Sequence, residues 1–385
     1  MLLEILSAVP TGMMTLQGIW NLHTTLDLKI KFKEQKEEKN NKKKKVCIIF
    51  PCYKDVVAID KWLDWSSNVT EIIIAEDIYH HNFSKDPKVK ILTRKHRNGF
   101  KAGALNMAID YILENKIACD YIFFFDADHI PTQIKLDDID KYLHKPVIQF
   151  FWDDGQPYMT AIDNLTYSAR YFSNVNNYNR RFKNLTGSAM AFDIEVFKNG
   201  FRFPESITED YALTLDLIER TNDKVTVIPI TISVGKAPKS FKTFIKQQNR
   251  WAEGTVRDAR LMWAKVRIPI EERIDWFMQI NIYLQGLWFF TAIILFLSGL
   301  LLASWLVLFL ILLQLVCFYS QLRKAPFKFW LYYFLLNYVV MVPQTMAVIR
   351  GILNEDGYFD KTHKKAMISY YDSSTDYKNA IENSK

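Results

Sequence analysis

Cysteine is scarce in this chain, and its spacing shows no pattern. Among 385 residues there are four cysteines, and none is spaced like a metal-ligand pair or like part of a disulfide framework. This absence argues against a disulfide-stapled secreted domain and fits a reducing compartment. The chain also shows no internal repeat and no low-complexity segment apart from one lysine-rich run. Its length accommodates one large domain or two ordinary ones.

Charged residues are missing from two long stretches near the C-terminus. Residues 276–320 contain no Asp, Glu, Lys or Arg, and 329–349 is a second uncharged stretch. A helix that crosses a bilayer needs about 20 consecutive apolar residues. We therefore expect a transmembrane region of two or three spans at 276–350, preceded by an interfacial segment at 266–275.

The N-terminal segment lacks the basic start and the small-residue cleavage site of a secretory signal. Residues 5–26 carry no formal charge, so we expect 1–28 to be a membrane-associated or transmembrane helix that is not cleaved. The linker that follows, 29–45, has nine lysines and three glutamates. Beside apolar segments this composition indicates a cytosolic juxtamembrane stretch that faces anionic lipid. We assign the net charge of +7 to a membrane surface, with no nucleic acid as partner.

Between residues 46 and 265, short apolar runs alternate with helical patterns. Four runs have the composition of buried strands: VCIIFPCY, EIIIAED, KVKILTR and DYIFFFDAD. The segment KAGALNMAIDYILENK, before the fourth run, has apolar residues at helical spacing. Continuous apolar strands separated by helices predict an α/β domain with a mostly parallel sheet covered on both faces. Ligands of such sheets bind beyond the carboxyl ends of the strands.

Acidic residues lie at two of these carboxyl ends. The fourth run continues into Asp126, Asp128 and His129. Carboxylates at i and i+2 face the same side of an extended segment, and Mg²⁺ and Mn²⁺ prefer carboxylate and phosphate oxygens. The spacing predicts a metal site at Asp126 and Asp128, with His129 as a further ligand for Mn²⁺ or as a group that orients a phosphate. Ordinary loop chemistry is the alternative for an isolated Asp-X-Asp.

Five short motifs follow one another along the chain: IIFPCYKD, RKHRNGFKAGALNMAI, DADHIP, ITEDYALTLDL and QQNRWAEGT. In this order they resemble the family 2 glycosyltransferases, in particular the membrane-embedded branch with cellulose, mannan and hyaluronan synthases and ceramide glucosyltransferase. The resemblance implies a glycosyltransferase A fold with a mostly parallel, Rossmann-like sheet, followed by C-terminal transmembrane helices. It also implies metal-dependent, inverting transfer of a sugar from a UDP- or GDP-sugar, with Mg²⁺ or Mn²⁺ as cofactor.

The resemblance assigns donor-binding roles to residues in these motifs. Asp77 would contact the nucleotide base, although this chain has EDIYHH where the family commonly has Asp-Asp-Gly-Ser. Asp126 and Asp128 match the element that holds the metal and the diphosphate. Lys101, in a glycine-containing turn before a helix, is expected near the phosphates. Glu209, in the TED motif, is expected to contribute to donor binding.

The last two motifs supply the candidate catalytic residues. Asp210 matches the general base of the family, and a carboxylate suits the removal of a proton from an acceptor hydroxyl. Gln247, Arg250 and Trp251 match the Gln-X-X-Arg-Trp motif near the acceptor and the diphosphate. A guanidinium can stabilise charge on the leaving diphosphate, and an indole offers a flat face to a sugar ring. Read alone, Glu209 and Asp210 also fit the first turn of a helix.

The sequence leaves three functions open. The first is extension of a growing polysaccharide at the cytoplasmic face of a cell membrane. The second is transfer of a single sugar to a membrane lipid, and the third, of another class, is a non-catalytic membrane transport or nucleotide-sugar-binding protein. The combination of QQNRW with DADH is more typical of the synthases and favours the first. The tail, 351–385, contains GYFDKTHKK, which loosely resembles the Thr-X-Lys gating loop of polymer-forming relatives.

Overall fold

The structure is a computed structural model that describes residues 9–10, 12–13, 15–20, 43–53, 55–77, 82, 84–155, 160–297 and 341–353. The strands, numbered in chain order, are β1 (Val46–Cys52), β2 (Val69–Asp77), β3 (Val89–Arg94), β4 (Tyr121–Phe124), β5 (Ile130–Pro131), β6 (Val147–Asp154), β7 (Met190–Asp193) and β8 (Thr226–Gly235). The helices are α1 (Ile59–Leu63), α2 (Phe100–Glu114), α3 (Leu136–Ile139), α4 (Ala161–Asn179), α5 (Ile194–Lys198), α6 (Glu209–Thr221), α7 (Phe241–Met262), α8 (Ile270–Asn281), α9 (Gln285–Leu297) and α10 (Met341–Leu353).

The described strands form one sheet in the order β3-β2-β1-β4-β7-β6-β8-β5. The four strands predicted from apolar runs pair with one another in parallel: β1 with β2, β1 with β4, and β2 with β3. β7 is antiparallel to both β4 and β6, and β5 is antiparallel to β8, whereas β6 and β8 are parallel. The prediction of a mostly parallel sheet therefore holds for the first half, and the second half is mixed. β5 has two residues and β7 reads MAFD, so neither shows the longer apolar run that marks β4 in the sequence.

Apolar side chains cover both faces of the sheet. Along β1, Ile49 packs in the layer that contains α2, and Ile48 packs in the opposite layer with Trp62 and Trp65. Strands buried on both faces must be apolar at successive positions, which explains the unbroken apolar runs of the sequence. The apolar residues of α2 predicted from helical spacing are all buried: Ala104, Leu105, Ala108, Ile109 and Ile112. The three described cysteines are free thiols.

Helix α7 is covered by α10 at the C-terminal side of the domain. Ala252 and Val256 of α7 pack with Ala347 and Val348 of α10 in one apolar cluster. An ion pair at the edge of this contact joins Arg350 Nε to Glu253 Oε2 at 2.9 Å. Helix α10 contains the last part of the stretch 329–349, which the sequence predicts as a span. The described part of that stretch therefore lies against α7.

No helix in the described parts of the chain combines the length and the apolar character that a bilayer crossing requires. Most of the predicted transmembrane region falls on 298–340, outside the described residues, as do the tail from 354, the linker up to 42 and much of 1–28. Helix α8 extends the predicted interfacial segment to Asn281. On this helix Ile270, Ile274 and Phe277 are 65%, 53% and 43% exposed, and their spacing puts them on one face.

Gly254 allows α7 to pack closely against the residues just before α6. A Cβ added at Gly254 would lie 2.8 Å from Thr208 Oγ1 and 3.2 Å from Ile207 Cβ, and Thr208 cannot turn away easily because its hydroxyl donates to Asp258. We expect Gly254→Ala to lower the free energy of unfolding by about 1–3 kcal/mol, measured by thermal unfolding in detergent. Gly12→Ala, where the new Cβ meets nothing within 4 Å, is the control. An equal change in both variants would contradict the prediction.

Candidate active site

A cleft of about 420 Å³ opens beyond the carboxyl ends of β1, β2 and β4. Its lining includes every site residue predicted from the sequence: Asp77, Lys101, Asp126, Asp128, His129, Glu209, Asp210, Gln247, Arg250 and Trp251. These residues come from five separate segments, which are the end of β2, the start of α2, the loop after β4, the start of α6, and α7. The structure brings all of them together. The role of each one stays a prediction.

Lys101 connects the Asp-X-Asp element to the start of α6. It is the second residue of α2, whose N-cap is Gly99 with a φ of 68° in the left-handed region. Its Nζ is 2.7 Å from Asp126 Oδ1 and 3.1 Å from Glu209 Oε1, and it donates to the Gly187 carbonyl at 2.9 Å. Burial disfavours the ammonium, but the two carboxylates raise the pKa of Lys101 above its ordinary value. A positive charge therefore lies in the cleft beside Asp126, and such a charge is suited to contact phosphate oxygens.

Two hydrogen bonds hold the Asp-X-Asp segment in place. The Asp126 N–H donates to Ser188 Oγ at 3.1 Å, and Asp128 Oδ2 accepts from the Lys236 N–H at 3.0 Å. Burial by itself would raise the pKa of Asp126, but the charge of Lys101 contributes to holding that pKa below its ordinary value. Asp126 is therefore ionised at neutral pH.

The cluster of acids around these two residues fits a divalent cation. Asp55 and Asp154 line the same cleft. Burial and the charges of Asp128 and Asp126 raise the pKa of Asp55 to about 6, and burial raises that of Asp154 to about 6. Carboxylates that repel one another are stabilised by a cation, and hard oxygen ligands suit Mg²⁺ and Mn²⁺. No three His, Cys, Asp or Glu side chains of the described residues are arranged to hold an ion by themselves, so diphosphate oxygens would complete the ligand set.

The two ring nitrogens of His129 have different surroundings. Its Nδ1 lies 2.9 Å from Ser233 Oγ and 3.1 Å from Ser188 Oγ. Its Nε2 faces Gly235, where an added Cβ would lie 2.6 Å from Nε2 and 2.8 Å from Asp154 Oδ1. Glycine at 235 therefore allows the histidine and Asp154 to approach each other. The metal-ligand role and the orienting role of His129 both stay predictions.

Glu209 and Asp210 occupy the first turn of α6. Thr208 precedes them without a side-chain cap on the helix, and its hydroxyl donates to Asp258 Oδ2 at 2.8 Å. Burial, followed by the charge of Glu209, raises the pKa of Asp210 to about 7, with Lys101 opposing the rise. A helix N-terminus stabilises carboxylates, but here burial has the larger effect. A carboxyl group with a pKa near neutrality is well matched to accept a proton at that pH.

Helix α7 brings the Gln-X-X-Arg-Trp residues into the cleft. Gln247 Oε1 is buried and has no hydrogen-bond partner among the described residues, and a bound ligand that donates a hydrogen bond would satisfy it. The positive charge of Arg250 lowers the pKa of Asp126, so the guanidinium acts on the region predicted for the diphosphate. Trp251 completes the same wall.

Asp77 is engaged by two arginines. Arg94 Nε donates to Asp77 Oδ1 at 2.6 Å, and Arg97 Nε donates to Asp77 Oδ2 at 3.1 Å. The Arg97 guanidinium also stacks on the ring of Tyr53, with Cζ 3.5 Å from the ring centroid. Both carboxylate oxygens of Asp77 are thus already hydrogen-bonded. Its contact with a nucleotide base stays a prediction.

Arg170 is a buried cleft residue for which the sequence contains no signal. It lies within α4, and its Cζ is 3.4 Å from the ring centroid of Trp152 and 5.3 Å from that of Trp251. Its Nη2 lies 3.5 Å from Asp154 Oδ2. The guanidinium therefore links the end of β6 to the tryptophan on α7. Asp154 itself is the last residue of the buried strand β6, so the pattern of an acid at a strand end that identifies Asp126 would also have identified it.

We expect Arg170→Lys to lower kcat/KM for the acceptor about 10-fold, because lysine keeps the charge but loses the planar face that stacks on Trp152. Steady-state rates and tryptophan fluorescence measure the effect. Arg220→Lys is the matched control, since Arg220 stacks on Phe201 at 3.9 Å on another part of the surface and should change neither readout. Unchanged kinetics and fluorescence in Arg170→Lys would show that the stacking has no role in the site.

Comparisons of the sequence with known proteins give consistent results. The family model described as glycosyl transferase family group 2 matches residues 121–345. Glucomannan 4-beta-mannosyltransferase 1 of Cyamopsis tetragonoloba is 26% identical over 206 residues, which are 49% of this chain and 38% of that protein. The probable glucomannan 4-beta-mannosyltransferase 14 of Arabidopsis thaliana is 24% identical over 204 residues, 50% of this chain and 37% of that protein. The chain thus spans well under two thirds of the length of the curated relatives it matches.

A mannosyltransferase from Pyrobaculum calidifontis, solved in complex with GDP-mannose and Mn²⁺, has a similar structure. The TM-score is 0.57 at 14% sequence identity, and the similarity covers 92% of this chain and 100% of that one. At this identity the similarity demonstrates the fold alone. The predicted glycosyltransferase-like fold, with its mixed α/β sheet, is therefore confirmed.

Proposed function

Because the chain belongs to glycosyl transferase family group 2, we propose that it moves a hexose from a UDP- or GDP-sugar to a hydroxyl of a saccharide acceptor, with a divalent metal ion and with inversion. One observation carries the proposal. The Asp-X-Asp carboxylates, Lys101, a buried acid with a pKa near 7 and the Gln-X-X-Arg-Trp residues share a single cleft. GDP-mannose is the first donor to test, because similar proteins carry the name mannosyltransferase and one was solved with this nucleotide sugar.

The residues of the cleft divide the reaction between them. Asp210, ionised in part at neutral pH, accepts the proton of the attacking hydroxyl. Lys101 and Arg250 stabilise the negative charge that develops on the diphosphate as the sugar leaves. Asp126 and Asp128 would hold Mg²⁺ or Mn²⁺, which supplies further neutralisation of that charge when bound.

A growing polysaccharide is the favoured acceptor. The support comes from the sequence relatives, which are named glucomannan mannosyltransferases, and from the QQNRW and DADH motifs. Transfer of one sugar to a membrane lipid is the second candidate, favoured by the apolar stripe of α8. The family membership argues against the transport or binding protein without catalysis. The length of the product separates the two remaining reactions.

The proposal includes a location at the cytoplasmic face of the cell membrane. The exposed residues Ile270, Ile274 and Phe277 of α8 lie just before and at the start of the uncharged stretch 276–320, and a helix with such a stripe is suited to lie in the membrane interface. The full chain should remain in the membrane pellet after extraction with alkaline carbonate. Its recovery in the supernatant would contradict the location.

The activity is tested with the purified full chain in detergent. Labelled GDP-mannose, GDP-glucose, UDP-glucose and UDP-N-acetylglucosamine are supplied with neutral oligosaccharide or lipid acceptors, with and without Mn²⁺. We expect one donor to give nucleoside diphosphate release that depends on metal and acceptor, together with a ladder of products. A single lipid-linked product would contradict the polysaccharide acceptor. No release from any donor would contradict the proposed reaction.

A further inference from the structure

Helix α4 presents a polar face to the cleft. Its cleft-lining residues recur at helical spacing and include Thr166, Arg170, Ser173, Asn176 and, at its C-cap, Arg180. The lining of the cleft also includes Trp20, Gln279 and Tyr283. Gln279 and Tyr283 belong to the beginning of the uncharged stretch 276–320. The cleft therefore continues from the donor residues towards the segments predicted to enter the membrane.

Arg180 is a buried cation at this end of the cleft, and its hydrogen-bond partners are neutral. It is 7% exposed. Its Nη2 donates to the amide oxygens Asn177 Oδ1, at 2.8 Å, and Asn184 Oδ1. Its Nε is buried and finds no hydrogen-bond partner within the described part of the chain. The C-terminus of α4 favours a cation, but it leaves this donor unsatisfied.

The acid that acts on Arg180 is engaged elsewhere. Burial lowers the pKa of Arg180 to about 10, and the charge of Asp275 is among the effects that oppose this fall. The carboxylate of Asp275 is bound to other groups: Oδ1 accepts from Trp20 Nε1 at 2.8 Å, and Oδ2 accepts from the Arg181 N–H at 2.5 Å. Burial, followed by the charge of Arg180, lowers the pKa of Lys183 to about 8. Lys183 therefore lies close enough to feel the charge of Arg180.

A second unsatisfied atom lies beside Arg180. Gln279 Nε2 donates at 3.0 Å to Asn184 Oδ1, the same oxygen that binds Arg180. Gln279 Oε1 is buried and has no partner among the described residues. The side chains of Arg180 and Gln279 thus donate to the same Asn184 oxygen, and each has one further buried atom without a partner in the described residues. That atom is a cationic donor in Arg180 and a neutral acceptor in Gln279. A phosphate next to a sugar hydroxyl has the complementary pair of groups.

We propose that Arg180 binds a phosphate of the acceptor, so that the saccharide to be extended is carried on a lipid phosphate. The inference rests on the proposed sugar transfer and specifies its acceptor. The planar fork of arginine matches phosphate oxygens, and Gln279 Oε1 accepts a hydrogen bond from a hydroxyl of the adjoining sugar. The position beside α8 and the uncharged stretch favours a lipid-borne phosphate over a free one.

Two acceptors that differ only in the phosphate test this inference. Octyl mannoside is compared with its analogue in which a phosphodiester joins mannose to the octyl chain. With the wild-type protein we expect a KM roughly 10- to 100-fold lower for the phosphodiester. Equal KM values would overturn the inference. Inorganic phosphate is added as a competitor, and if it inhibits at concentrations near the KM of the phosphodiester, the site takes free phosphate and the lipid assignment is wrong.

Variants place the effect on Arg180. Arg180→Gln removes the charge, and Gln279→Glu adds a competing carboxylate next to Asn184. Both should remove most of the preference for the phosphodiester while the KM of the donor stays unchanged. Arg181→Gln is the matched control, because the exposed side chain of Arg181 is the adjacent arginine, and the preference should persist. Persistence in both test variants would overturn the inference. Failure of every donor to react would instead contradict the proposed function.

Discussion

Asp210→Asn is expected to lower kcat about 10²- to 10⁴-fold, the usual contribution of a general base. The amide has nearly the shape of the carboxyl group but cannot accept the proton of the acceptor hydroxyl, so the KM of the donor should change little. Initial rates of nucleoside diphosphate release at saturating donor measure the effect. Asp216→Asn is the control, because Asp216 lies on the same helix and pairs with Arg220 at 3.1 Å away from the cleft. Comparable activity in both variants would exclude Asp210 as the base.

The pH profile gives an independent test of the same residue. The reactive form of a general base is deprotonated, and the pKa of Asp210 is raised to about 7 by burial and then by the charge of Glu209. The rate of the wild-type protein should therefore fall as the pH drops below about 7, where Asp210 becomes protonated. Glu209→Gln removes the neighbouring negative charge, so the pKa of Asp210 should fall and the acidic limb of the pH profile should move to lower pH. A limb that persists unchanged in Asp210→Asn would assign it to another group.

Replacement of both Asp126 and Asp128 by asparagine is expected to lower transfer by about 10³-fold or more, since a metal ion contributes several kcal/mol of charge stabilisation. Each single variant should raise the Mn²⁺ concentration needed for half-maximal activity by about 10- to 100-fold or more. Even the loss of an outer-shell partner weakens metal binding by that factor, and these residues are predicted to contact the metal directly. Activity measured against Mn²⁺ concentration, together with Mn²⁺ titration calorimetry, separates weaker metal binding from slower chemistry.

The Asp126 variant needs a check on folding. Asp126 pairs with Lys101 at 2.7 Å, so its replacement also removes one of the two carboxylates that hold the lysine, and thermal unfolding of the variant should be measured beside its activity. Asp137→Asn is the matched control, because Asp137 is exposed and pairs with Lys43 on the surface. An unchanged dependence on Mn²⁺ in the double variant would show that the metal is held elsewhere.

Strands β1, β2 and β4 are predictable from the sequence because they are buried on both faces. Burial on both sides demands apolar residues at every position, and β1, β2 and β4 display them as unbroken runs. The short strands β5 and β7 carry no such signal, and the antiparallel direction of β7 depends on pairing with β4 and β6, which are distant in sequence. Direction and order of strands are tertiary properties, so local composition contains no record of them.

The candidate site shows the same division. Asp126, Asp128, Asp210 and the residues of α7 belong to short motifs, whose spacing reports local backbone geometry and therefore survives in the sequence. The motifs thus predicted which residues to consider, and the cleft contains all of them. Arg170 belongs to no motif, because its importance comes from its contacts with Trp152 and Trp251, which local composition does not report.

The amino-acid sequence was sufficient for the family, the parallel half of the sheet and the identities of the predicted site residues, because each of these is written in local patterns. The protonation of Asp210, the ion pairs of Lys101 and the neutral hydrogen-bond partners of Arg180 required the folded chain. Each depends on burial and on charges brought close by segments far apart in the sequence, and the electrostatics of a group follow from distance in space.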